Sequence, residues 1–142
     1  MKVGIYSELA RQPIVNMREE ISQLGNGTSN TAMKSFRSDV INSEKQHHKD
    51  IFHSPDFYSL STLRDLLFHV QEHRFSIPQI QSCLAELGLK FCGFESDEID
   101  QGFNSDHTGA DDQYDLDKWS EYEEANPLTF GGMSQFWCQK MA

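Results

Sequence analysis

"DFYSLSTLRDLLFHVQEHRFSIPQIQSCLAELGLKFCGFE", residues 56–95, carries the clearest structural signals in the chain. Leu63, Leu66, Leu67 and Val70 fall on one helical face, and Thr62 with Asp65 is spaced as a capping box for that helix. Ser76 and Gln79 repeat the capping logic for a second helix. Its apolar set, Ile80, Cys83, Leu84 and Leu87, recurs at i, i+3, i+4 and i+7, and Gly88 is a natural stop. "LKFCGFE" then reads as a strand, with Leu89, Phe91 and Gly93 on one face and Cys92 and Phe94 near the other.

Upstream, "MKVGIYSE" has a short strand pattern through Val3 and Ile5, and Gly4 allows something to approach closely. "RQPIVNMREEISQLG" follows as a helix: Pro13 suits its first turn, Ile14, Met17, Ile21 and Leu24 keep helical spacing, and Gly25 ends it. Met33, Phe36 and Val40 mark another helix, and residues 42–55 are weakly patterned, a loop or a short helix. Downstream, residues 96–103 and "DLDKWSEYEEA" read as helices, the latter with Leu116, Trp119 and Tyr122 or Glu123 along one side. In "NPLTFGGMSQFWCQK", Asn126 as N-cap and Pro127 at the first position predict a last helix with Phe130, Met133, Phe136 and Trp137 as its core face. These elements predict a helix-rich α/β fold with two short strands, about 2–7 and 89–95, and five or six helices.

The chain has 142 residues and a net charge of −10, which predicts one domain over 1–142. Residues 95–124 hold 12 acids against one base, Lys118, so this stretch is expected to be a solvated surface, partly mobile around 96–114. Such a field repels a phosphate backbone, and no nucleic-acid partner is expected. Cys83, Cys92 and Cys138 match no zinc or redox spacing; Cys83 and Cys92 are expected to pack as small hydrophobes. With no leader-like opening and no long apolar run, the expected setting is cytoplasmic, without a membrane.

His69-Val70, Phe75-Ser76, Ile80, Leu84, Leu87 and Gly93-Phe94 match a pattern found after the fifth strand of class I S-adenosylmethionine-dependent methyltransferases. Longer blocks, "GIYSELAR", "DFYSLSTLRDLLFHVQEHRFSIPQI", "LAELGLKFCGFE" and "NPLTFGGMSQFWCQK", resemble the C-terminal region of bacterial methyltransferases that often carry tetratricopeptide repeats upstream. The resemblance spans nearly the whole chain, weakest at 25–50 and 96–112, and implies a Rossmann-like ancestry. That class holds its cofactor with a Gly-rich turn after the first strand and an acid ending the second, and this sequence has neither. Its glycine pair, Gly131-Gly132, follows no predicted strand. No cofactor is therefore expected, although the full-length family uses S-adenosylmethionine.

The resemblance places "YSELAR" at the carboxyl end of a strand, where open α/β sheets bind ligands, so Tyr6, Glu8 and Arg11 are candidate substrate-side residues. By the same resemblance His69, His73 and Arg74 join them. Glu8 and Arg11 read equally as ordinary first-turn helix residues. His69, Glu72 and His73 stand at i, i+3 and i+4, which can hold a metal, yet a structural or surface role is the expectation. His47, His48 and His53 lie where no ordered scaffold is predicted, and no metal site is expected. Counting an EF-hand loop from Asp111 puts Gln113, Leu116 and Tyr122 at the third, sixth and twelfth positions, and the match fails. No Gly-x-Ser-x-Gly occurs and no Cys has a His at a compelling spacing.

The expected function is a non-catalytic binding or assembly module from the C-terminal part of a methyltransferase. The alternatives are a partial methyltransferase completed by a partner chain that supplies the cofactor site, and a small-ligand binder. A homodimer is expected, because two strands joined through helices leave Val3, Ile5, Leu89, Phe91 and Phe94 short of cover unless the aromatic tail supplies it.

Overall fold

A computed structural model describes residues 1–25, 27–68 and 72–142. Length alone predicts one domain; the chain divides into two compact units, Arg11–Glu72 and the pair of segments Met1–Ala10 with His73–Ala142. The predicted α/β, helix-rich class holds, and among the described residues no helix is long and apolar enough to cross a membrane.

The unit Arg11–Glu72 is helical. It contains α1 (Gln12–Leu24), α2 (Asn30–Ile41), α3 (Gln46–Asp50) and α4 (Leu60–Leu67), with 3-10 turns at Ile51–His53 and Pro55–Phe57. Its core joins Ile14, Met17 and Ile21 of α1 to Phe36 and Val40 of α2 and to Leu63, Leu66 and Leu67 of α4. These are the predicted apolar stripes; Val70, predicted to extend the last of them, lies outside the described residues. The start of α4 differs from the expected capping box. Ser59 stands at its N-cap, and the Thr62 hydroxyl donates back to the Asp56 carbonyl at 2.8 Å, fastening the preceding turn instead.

The second unit is a four-stranded sheet with three helices. Strands β1 (Lys2–Ser7), β2 (Arg74–Phe75), β3 (Leu89–Phe94) and β4 (Met133–Lys140) lie in the order β2-β1-β4-β3. Strand β2 is parallel to β1, whereas β4 is antiparallel to both β1 and β3. Helices α5 (Ile77–Glu86), α6 (Asp97–Asp106) and α7 (Leu116–Ala125) complete it. The Ser76–Gln79 capping box opens α5 as predicted. The acidic stretch around 96–114 carries α6 and a 3-10 turn at Asp112–Tyr114.

Strand β4 corrects the predicted last helix. Phe130, Met133, Phe136 and Trp137 suit a helical period, but Ser134, Phe136 and Cys138 also alternate, and the alternation wins. Antiparallel pairing on both sides satisfies the backbone of β1, β3 and β4 together, a gain that no local period reveals. Asn126 ends α7 rather than beginning a helix, its side-chain amide donating to the Tyr122 carbonyl at 3.1 Å. Trp137 consequently faces away from the core and is 47% exposed, while Phe136 is buried.

Two further expectations change with the sheet. A bulge at Cys92-Gly93 sets two residues of β3 against one of β4, so Phe91 and Phe94 both turn to the core. Gly93 allows this with φ of 110°, a conformation costly for any side chain. Cys83 is exposed rather than packed, because only Ile77, Ile80 and Leu84 of α5 reach the core. Gly4 does permit a close approach: a Cβ there would stand 2.8 Å from the Met133 sulfur. The tail joins the sheet as β4, paired with β1 along Lys2–Tyr6, while β2 pairs with β1 at Tyr6 and Ser7 alone.

Candidate functional site

The carboxyl end of β1 gathers three of the predicted residues. Tyr6 is in register with Arg74 of β2, and the Glu8 backbone N–H donates to the Phe75 carbonyl at 3.0 Å. Arg74 Nε reaches Glu8 Oε2 at 3.3 Å, a partly exposed ion pair of small energetic weight. His73 is exposed directly before β2, and His69 lies outside the described residues.

Arg11 belongs to the helical unit and is buried there. Its guanidinium grips Glu72 through Nε–Oε1 at 3.2 Å and Nη2–Oε2 at 2.8 Å, and Arg18 adds a bond to Oε2 at 3.1 Å. Arg18 also donates twice to the Leu66 carbonyl near the end of α4, where helical carbonyls lack partners. Burial pushes the Glu72 carboxyl up, but hydrogen bonds and charge from Arg11 and Arg18 outweigh it and hold the group below the usual carboxylate range. Arg11 and Glu72 thus clamp α1 to the end of this unit, a role the strand-end motif did not signal.

Two residues of the β1 end were not singled out from the sequence, Ser7 and Glu123. Both are buried, and the Ser7 hydroxyl donates to Glu123 Oε1 while accepting from the Ala10 N–H at 3.0 Å. The signal for Glu123 is its place with Leu116 and Trp119 at i, i+3 and i+7, hidden within an acidic run. Burial raises the Glu123 carboxyl above its usual range; the Ser7 bond opposes this and the charge of Glu124 reinforces it.

The pH consequence has a definite sign. A raised folded pKa makes the contribution full below the unfolded value of 4.5 and lost as pH rises through the folded value. Glu123→Gln keeps an acceptor for Ser7 and cannot ionise. Thermal unfolding across pH about 4 to 9 is expected to decline less steeply on the alkaline side for the variant than for the parent. Identical profiles would mean that Glu123 titrates as an exposed acid.

Beyond the carboxyl end of β3, a cavity of about 260 Å³ opens against the start of β4. Ser96, Thr129, Ser134 and Gln135 supply hydroxyls and an amide, and Ile99 and Phe130 supply apolar wall. Ser134 is buried and its hydroxyl has no hydrogen-bond partner among the described residues. Among the described residues Glu95 is the only charged one of the lining, and it is paired with Lys2 at 2.7 Å.

One cluster has a metal-ligand composition. Glu20, His47 and His48 bring one ligand atom each to within 4.8 Å of one another. The histidine pair, for which the sequence predicts no ordered scaffold, lies on α3. Compared with protein-family models and with curated proteins, the sequence finds no match.

Proposed function

We propose that residues 1–142 act as a non-catalytic binding or assembly module of methyltransferase-like ancestry, working in a bacterial cytoplasm. The observation that carries this reading is the cavity at the carboxyl end of β3. Open α/β sheets bind ligands at that edge, and the lining offers neutral hydrogen-bonding groups with one carboxylate already engaged by Lys2. Such a lining suits a small uncharged ligand better than it suits acid–base or nucleophilic chemistry. The sheet arrangement is consistent with that ancestry: β1 and β3 run in the same direction on either side of β4.

The residues present do not fit S-adenosylmethionine. The strand-to-helix junctions β2–α5 and β3–α6 are capped by the side chains of Ser76 and Ser96, where the cofactor's cradle requires glycine backbone. Self-association into a homodimer belongs to the same proposal, supported by the β3 edge and by Met133 and Trp137 exposed on the sheet.

Titration calorimetry of the 142-residue chain with S-adenosylmethionine and S-adenosylhomocysteine is the deciding experiment. No heat of binding is expected at micromolar concentrations. Binding by the chain alone would overturn the non-catalytic reading, and binding only with a second protein would establish the partner-completed enzyme. Light scattering on the same sample is expected to give twice 16.3 kDa.

A further inference from the structure

We propose that Glu20, His47 and His48 form a zinc-binding site on the helical unit, Glu20 from α1 and the histidines from α3. Neighbouring residues on a helix diverge by about 100°, and adjacent histidines normally aim apart. Here both converge on one carboxylate: His47 Nε2 lies 2.8 Å from Oε1 and His48 Nε2 lies 2.7 Å from Oε2. Two imidazole nitrogens and a carboxylate oxygen are the donor set of open, three-ligand zinc sites, in which the fourth position takes water or substrate.

The ligands are held before any ion arrives. His48 is buried, its ring edge-on to Phe36 and set against His47 with centroids 4.5 Å apart. Glu20 meets Lys45, His47 and His48 together, and these contacts hold its carboxylate in place. Lys45 Nζ lies 2.7 Å from Glu20 Oε1 on an exposed side chain. Its ammonium occupies the cation's place and can swing into solvent when zinc enters.

The site also has a built-in weakness. Coordination through His48 Nε2 requires the ring proton at Nδ1, which is buried with no partner among the described residues. Zinc sites normally give that proton an acceptor, and lacking one costs about 10- to 100-fold in affinity. Moderate, reversible binding is therefore expected, fitting an ion that is exchanged or shared with a ligand at the open position.

Zinc alone, titrated calorimetrically into the metal-stripped full chain, is expected to bind one ion per chain. Glu20→Gln and His47→Ala should each weaken binding by at least about tenfold, and Lys45→Ala should strengthen it. These positions are partly exposed, and circular dichroism checks that each variant folds; the buried His48 is left intact for that reason. Absence of zinc binding at micromolar concentrations would overturn the proposal. Binding unchanged in both Glu20→Gln and His47→Ala would also overturn it, placing the metal on other histidines or cysteines.

Discussion

Trp119→Ala is expected to destabilise the sheet-containing unit by about 3–5 kcal/mol, read as a fall in the urea midpoint with an unchanged slope. Trp119 is 0% exposed and stacks on Phe103 with centroids 3.8 Å apart. Phe94 meets it edge-on at 4.9 Å, and its indole N–H donates to the Gln113 carbonyl at 3.0 Å. Truncation removes the centre of this aromatic cluster and leaves the half-buried Gln113 carbonyl short of its donor. Trp137→Ala is expected to cost less than about 1 kcal/mol, because that ring lies on the exposed side of β4. A slip of one residue in β4 would exchange the two faces. If Trp137→Ala proved as costly as Trp119→Ala, the register pairing Lys2 with Trp137 and Val3 with Phe136 would be wrong.

Glu72→Ala is expected to cost the helical unit about 3–5 kcal/mol at neutral pH. The side chains of Arg11, Arg18 and Glu72 are 8%, 11% and 6% exposed, so removing the carboxylate strands two desolvated guanidiniums without their shared acceptor. The pH dependence runs opposite to that of Glu123. The Glu72 carboxyl is held below its usual range, so its contribution is present above the unfolded value of 4.5 and is lost as pH falls through the folded value. Parent and variant should therefore converge in acid. Urea titrations at neutral pH and near pH 3 test both statements. A loss under about 1 kcal/mol at neutral pH would show the cluster to be solvated and loosely paired.

The parts of the fold that were legible are those fixed by near neighbours. Ser76 and Gln79 announce α5 within four residues, and Gly25 and Gly88 end helices in the left-handed conformation expected of them. Strand β4 was not legible, because its partners are far away in sequence: Val3 pairs with Phe136. Its residues satisfy two periods at once, and only the waiting edges of β1 and β3 choose between them. The bulge at Gly93 was invisible for the same reason, being a misfit between two strands rather than a property of one.

For the sites, Tyr6, Glu8 and Arg74 are all candidates from the sequence, and the structure sets Tyr6 in register with Arg74 and brings Arg74 to Glu8. Arg11 follows three residues after Glu8 yet serves the other unit, since nothing local states where the chain turns out of the sheet. Glu123 hid in a run of acids whose average character is solvation. Glu20 and the histidine pair stand 27 and 28 residues apart, and their meeting depends on how α1 packs with α3.

Within residues 1–142 β1 precedes β4, so the sheet sets an order for biosynthesis. Ribosomes deliver roughly 5–20 residues per second, so on the order of ten seconds separates the emergence of Val3 from that of Phe136. Throughout that interval β1 lacks its antiparallel partner β4, and of its two partners in the sheet only the two-residue β2 has been made. The segment Arg11–Glu72 is complete once residue 72 has emerged, while the sheet still lacks β3 and β4. Over that interval β1 presents an unsatisfied strand, the kind of edge that chaperones at the ribosome exit recognise and that crowded polysomes can join together.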